Sequence, residues 1–171
     1  MAIQKLGFSG TPNLIHSVGG VGYLTTTVAG GSLVAPSSGT ASKMYVYKYA
    51  VGTNAIGTVA LYDSDLALLV SASFNLSGDA GWREVTIADT AIVSGSTYYP
   101  MLLVANGNSL MYSDTSGNNC SRVGSLLTPP DPWTEIQNRA YCSAVYVEWD
   151  DGASGSIVPI LAHHLQIQGA L

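Results

Sequence analysis

The chain has 171 residues, enough for one domain with a sizeable core, and only 10% of them are charged, against about 25% in an ordinary soluble domain. The formal net charge is −5, and the six basic residues (Lys5, Lys43, Lys48, Arg83, Arg122, Arg139) are scattered. This argues against nucleic acid, because phosphate binding needs clustered positive charge. With 47% hydrophobic residues and 19 glycines, the surface must be built from Ser, Thr, Asn, Gly and Tyr. Such a surface suits a protein that packs into an assembly and is unusual for a metabolic enzyme.

Residues 1–40 carry no Asp, Glu, Lys or Arg after Lys5. Strands are expected at Tyr23–Val28 and Ser32–Ala35, with Gly pairs as punctuation. The apolar residues Leu6, Phe8, Leu14, Ile15 and Tyr23 are too many for a free linker, so the stretch reads as an N-terminal arm or edge segment that packs on a partner. No continuous apolar segment follows Lys5, so no secretion signal is expected and synthesis is expected in the cytosol.

From residue 41 to 171 short strands recur: Lys43–Ala50, Gly57–Tyr62, Ala67–Asn75, Trp82–Ile87, Tyr98–Ala105, Ser109–Ser113, Ala140–Trp149 and Ile157–Ile160. Turn signals such as "YDSD", "LSGDAG" and "DDGASG" separate them. No window shows sustained helical periodicity. The reading is an all-β chain, a single antiparallel β-sandwich of jelly-roll type with an extended N-terminal arm. Apolar runs are broken by Pro100, Pro159 or His163–His164 and fall short of the roughly 20 residues of a membrane span.

Within the first of these strands, "KMYVYKYA" alternates strictly, with Tyr45, Tyr47 and Tyr49 on one face and Met44, Val46 and Lys48 on the other. A tyrosine row can pack a core, present a sugar platform or touch another protein. The segment "TPPDPWTE", Thr128 to Glu135, has too few ladder donors for a central strand and reads as a stiff loop presenting Trp133.

Candidate chemistry is sparse. His163 and His164 point to opposite faces of any strand and His16 lies in the arm, so no triad is assembled and no catalysis is expected. Asp63, Asp65, Asp150 and Asp151 sit in turns where Asp is at home. They could offer oxygens to calcium but match no complete loop, so neither metal nor cofactor is expected. Cys120 and Cys142 are expected to be thiols in a cytosolic chain, and two cysteines are too few for a structural zinc site. For carbohydrate binding the useful residues would be Tyr112 with Asp114 and Asn118, and Trp133 on its proline loop, since aromatic faces stack on sugars while amides and acids fix the hydroxyls.

The run from Met44 to Gly107, with "MYVYKYA", "GTVALYDSDLALLVSASF", "GWREVTI" and "VSGSTYYPMLLVANG" in that order, resembles a β-sandwich domain of unassigned function found in bacterial surface and secreted proteins. The likeness implies fold only and supplies no catalytic residues. It also implies that the tyrosines of the first strand face the opposite sheet, with Met44 and Val46 toward a covering layer. Without a signal, and nearly devoid of charge, the chain further resembles bacteriophage virion proteins of the capsid decoration and fibre kinds. That resemblance implies a structural protein located in the virion. Its expected partners are further copies of itself, with a trimer as one form, and a capsid or tail protein docked through Leu6, Phe8, Leu14, Ile15 and Tyr23. Glycans are the alternative partner.

Overall fold

A computed structural model of the chain describes residues 2–7, 9–10, 14–18, 21–27, 32–48, 56–75, 78–104, 109–114, 119–124, 128–134, 137–139 and 142–152. Every regular element among them is a strand: β1 (Ile3–Gly7), β2 (Leu14–Val18), β3 (Val21–Thr27), β4 (Gly39–Lys48), β5 (Ile56–Tyr62), β6 (Leu68–Asn75), β7 (Gly81–Ile92), β8 (Tyr99–Val104), β9 (Ser109–Asp114), β10 (Asn119–Gly124), β11 (Gln137–Arg139), β12 (Cys142–Ser143) and β13 (Val145–Asp150). They form two antiparallel sheets. The seven-stranded sheet runs β1-β13-β4-β9-β12, with β7 added on β4 and β2 on β9; the six-stranded sheet runs β11-β10-β3-β8-β5-β6. Together they make the expected β-sandwich.

The core lies between the sheets. Leu6, Met44, Val46, Val85, Val145 and Val147 enter it from the larger sheet, and Val59, Leu61, Leu102, Val104 and Cys120 from the smaller. Met44 and Val46 are fully buried, each stabilising the fold by about 1.5–3 kcal/mol. The expected orientation of this strand is therefore reversed: Met44 and Val46 fill the sandwich, and Tyr45 and Tyr47 face outward. Two facts explain the reversal. A phenol turned inward would need a buried hydrogen-bond partner, which the apolar interior does not offer. The neighbouring strand also decides: Val145 and Val147, opposite Val46 and Met44, are themselves fully buried and share the inward face with them.

Lys48 follows Met44 and Val46 inward and is only 1% exposed. Its ammonium donates to the Gly78 carbonyl, while Arg83 Nη2 donates to Asp79 O at 2.7 Å. Burial, and secondarily the neighbouring Arg83, hold Lys48 below its ordinary pKa. This end of the sandwich thus carries its cations on backbone carbonyls of one turn.

The described parts of residues 1–40, read as an arm or edge segment that packs on a partner, pack on their own chain: β1 is the edge strand of the larger sheet and β3 an interior strand of the smaller. β1 pairs with β13, Ile3 opposite Asp150 and Leu6 opposite Val147. β3 lies between β10 and β8 in the smaller sheet, with Leu24 fully buried. At Gly7, φ is +113° and an added Cβ would stand 2.6 Å from Val145 O, so β1 reaches its place only with glycine there. The pairings that anchor this stretch are with strands about 80 to 150 residues away, beyond any local signal. Ser32–Ala35 forms one bridge, Val34 with Thr97, instead of a strand. The Ile157–Ile160 strand and the tail that follows lie outside the described residues.

Candidate functional site

Inward packing of Met44, Val46, Val145 and Val147 leaves the alternate residues of β4, β13 and β7 on the outer face of the larger sheet. The register sets Tyr45 between Tyr146 and Glu84, Tyr47 beside Trp82, and Lys43 opposite Glu148. Tyr45 stacks on Tyr146, ring centroids 4.8 Å apart and planes at 11°. Trp82 meets Tyr146 at 5.0 Å and 65°, and Tyr47 at 5.4 Å and 88°. The Lys5 ammonium, from β1, stands 4.9 Å from the Tyr146 centroid. Tyr146, 6% exposed, is the floor of this cluster. Tyr45, Tyr47 and Trp82 are only half-buried and form its outer surface.

Charged groups rim the rings. Lys43 Nζ donates to Glu84 Oε2 at 3.0 Å, and the Tyr45 hydroxyl donates to the same oxygen at 2.9 Å, with Glu148 Oε1 at 3.3 Å as a second acceptor. Lys5 Nζ lies 3.9 Å from Glu148 Oε2. Burial, reinforced by the hydrogen bond to Glu84, raises the Tyr45 phenol far above its ordinary range. Burial also raises Tyr146, against the pull of Lys5. Hydrogen bonds from Lys43 and then Tyr45 hold Glu84 below the usual carboxylate range. Exposed pairs like Lys43–Glu84 add little stability. Their consequence is geometric: they fix donors and acceptors around partly open aromatic faces.

The outer face of the smaller sheet is closed by its own chain. Leu24, Ala60, Tyr62, Met101 and Leu103 form a second apolar cluster there, and Trp133, 3% exposed, packs on it. Tyr62 meets Trp133 at 5.7 Å and 75° and donates its hydroxyl to Pro130 O at 2.7 Å. Trp133 N–H donates to Leu66 O at 2.9 Å, and Leu68 N–H to Asp131 Oδ1 at 3.0 Å. Leu66 sits at φ 63°, a left-handed conformation that these contacts hold against a cost of about 1–2 kcal/mol. The proline loop is therefore a cover, and Trp133 is not an exposed sugar-stacking residue: its indole is spent on the sheet beneath.

The other predicted site residues are dispersed. Tyr112 and Asp114 lie on β9, opposite Ile15 of β2 and Cys142 of β12; Asn118 lies outside the described residues, as do His163 and His164. Leu6, 1% exposed, is core instead of a partner contact. Leu14 and Ile15, on β2, stand opposite Ser113 and Tyr112 of β9, Tyr23 sits on β3 opposite Leu102, and Phe8 lies outside the described residues. Asp63 Oδ1 accepts from the N–H groups of Asp65 and Ala67, both at 2.9 Å, and Asp150 Oδ1 from Gly152 N–H at 3.1 Å, so these carboxylates cap their own turns. No metal-holding group of His, Cys, Asp or Glu occurs among the described residues. Cys120 is disulfide-bonded, which corrects the expectation of two thiols.

None of the four is expected on an outer face: the likeness turns Tyr45 and Tyr47 toward the opposite sheet, and the sequence does not single out Trp82 or Tyr146 for this role. A signal existed: in "VYVEWD", Tyr146 and Glu148 alternate with Val145 and Val147 just as Tyr45 and Tyr47 alternate with Met44 and Val46. Scans against protein-family models and against curated proteins found no match.

Proposed function

We propose that this chain is a non-catalytic structural protein of a bacteriophage particle, a decoration- or fibre-type jelly roll, and that the outer face of its larger sheet is the surface it uses to associate. The observation that carries the reading is the set Tyr45, Tyr47, Trp82 and Tyr146, joined across three strands and rimmed by Lys5, Lys43, Glu84 and Glu148. Tyr and Trp dominate binding hot spots because they bury much area at little entropic cost, and a rim of charged groups sets register and excludes wrong partners. The scarcity of charge elsewhere supports an assembled surface. The expected partners are further copies of the chain and a capsid or tail protein.

Sedimentation of the purified chain tests self-association. Wild type should show concentration-dependent assembly that Trp82→Ala loses while keeping its β-type circular dichroism; a wild type that stays monomeric, or a variant that assembles equally, sinks the contact surface. Immunogold labelling of particles from the lysed host tests the location, and label confined to cell debris would remove the virion reading.

A second reading rests on the Tyr45 hydroxyl, held between two carboxylates with Lys43 beside them: fixed polar groups next to partly open rings are what a glycan requires. Glycan-array binding lost in Trp82→Ala would favour it over protein docking.

A further inference from the structure

Cys120 belongs to the apolar interior, 0% exposed and grouped with Val59, Leu102 and Val104 between the sheets. It is disulfide-bonded, and the sequence holds only one other cysteine, Cys142. The backbone brings the two elements together: Cys120 stands opposite Thr25 of β3 in the smaller sheet, and β12 of the larger sheet lies against that same β3. We infer that Cys120 is bonded to Cys142, and that this bond is an oxidation site which clasps one sheet to the other once the chain has left a reducing compartment.

The enclosed segment gives the bond its effect. Between the two cysteines run β10, the proline loop with Trp133, and β11. The chain thus leaves the interior at Cys120, lays Trp133 on the outer face of the smaller sheet, and returns to the larger sheet at Cys142. Closing this loop removes conformational freedom from the unfolded chain and keeps the cover of the smaller sheet tied at both ends even when it lifts. Because Cys120 is shut off from solvent, thiols reach the bond only after local opening, so reduction of the folded protein is slow.

The chemistry balances by thiol–disulfide exchange. The two cysteine thiols give up two protons and two electrons to form one S–S bond, and a small disulfide of the glutathione class takes them up as two thiols. The cytosol opposes this step and the extracellular medium permits it. A protein made inside a cell and released by lysis would therefore assemble as the dithiol and be stapled afterwards.

The test uses the full chain, purified under reductant and alkylated in denaturant, which should take two labels. After treatment with oxidised glutathione, the intact mass should fall by about 2 Da, labelling should vanish and the chain should remain a monomer on a non-reducing gel. Proteolysis should then release Cys120 and Cys142 in linked peptides. The melting temperature should rise by roughly 5–12 °C over the reduced protein, as expected for closing a loop of about 20 residues. Cys120→Ser/Cys142→Ser should melt like the reduced wild type and ignore the oxidant. If that double variant does not fold, the reduced and oxidised wild type supply the comparison without it. Persistent labelling after oxidation, a bond linking two chains, or an unchanged melting temperature once the bond has formed would each overturn the proposal.

Discussion

The two outer faces of this sandwich use the same kind of residue to opposite ends. On the smaller sheet Tyr62 and Trp133 meet under a loop that supplies its own hydrogen-bond acceptor, Pro130 O, and the surface is closed. On the larger sheet Tyr45, Tyr47 and Trp82 stay half-buried above Tyr146, and the Tyr45 hydroxyl donates to side chains, Glu84 and Glu148, instead of to a covering loop. A ring packed by its own chain adds to folding stability. A ring left half-open, with its polar neighbours held in place, is available to something else.

The sharpest way to break this comparison is to truncate each aromatic in turn. Trp133→Ala should cost about 3–5 kcal/mol in urea unfolding, as for a large buried core residue, because it uncovers Leu24, Met101 and Leu103 together. Met44→Ala, which opens a cavity between the sheets, should cost about 2–5 kcal/mol. Trp82→Ala should cost only about 1 kcal/mol, the worth of its edge contacts with Tyr47 and Tyr146, while abolishing association. If Trp82→Ala proved as destabilising as Trp133→Ala, the outer face of the larger sheet would be structural and the contrast would fall. Tyr62→Phe should lose about 1 kcal/mol by leaving Pro130 O without its donor.

The smallest effects are those of pH. The Tyr45 and Tyr62 phenols are both raised, chiefly by burial, so their share of stability is complete below about pH 10 and declines as pH climbs toward their folded-state values. Ultraviolet titration should show both phenols ionising late, above pH 10, and Tyr45→Phe should remove one late step. Glu84 runs the other way. Its depressed pKa means its contribution is present above about pH 4.5 and fades on acidification, and Glu84→Gln should flatten the acid limb of a stability profile.

Much of the sandwich was legible because most strands state their period or their bounds. "GTVALY" and "YPMLLV" are nearly continuous apolar runs, and both are buried on both faces, between the core on one side and the Trp133 cluster on the other. What failed was phase. "KMYVYK" displays two faces that are both apolar in part, and hydropathy does not rank Met and Val against Tyr strongly enough to choose. The partner strand decides: Val145 and Val147 demand that Met44 and Val46 face the core with them. β3 answers the strand expected at Tyr23–Val28, but β1 and β2 escape the sequence for a related reason, since nothing local in "IQKLG" or "LIHSV" announces partners about 100 to 150 residues away.

That pairing has a consequence for how the molecule comes into being. β1 finds its neighbour in β13, Ile3 against Asp150, and β3 waits for β8 and β10. A nascent chain that has made its first hundred residues holds an N-terminal stretch, without a charged side chain beyond Lys5, whose partners do not yet exist. Such sheets close late and slowly, because the ends must meet before most contacts reward the loss of freedom. Until then the growing chain offers unpaired strand edges to its siblings on the same message. Deleting β13 should therefore yield insoluble protein, and expression should improve when elongation or temperature is lowered enough to keep neighbouring chains apart while the last strand arrives.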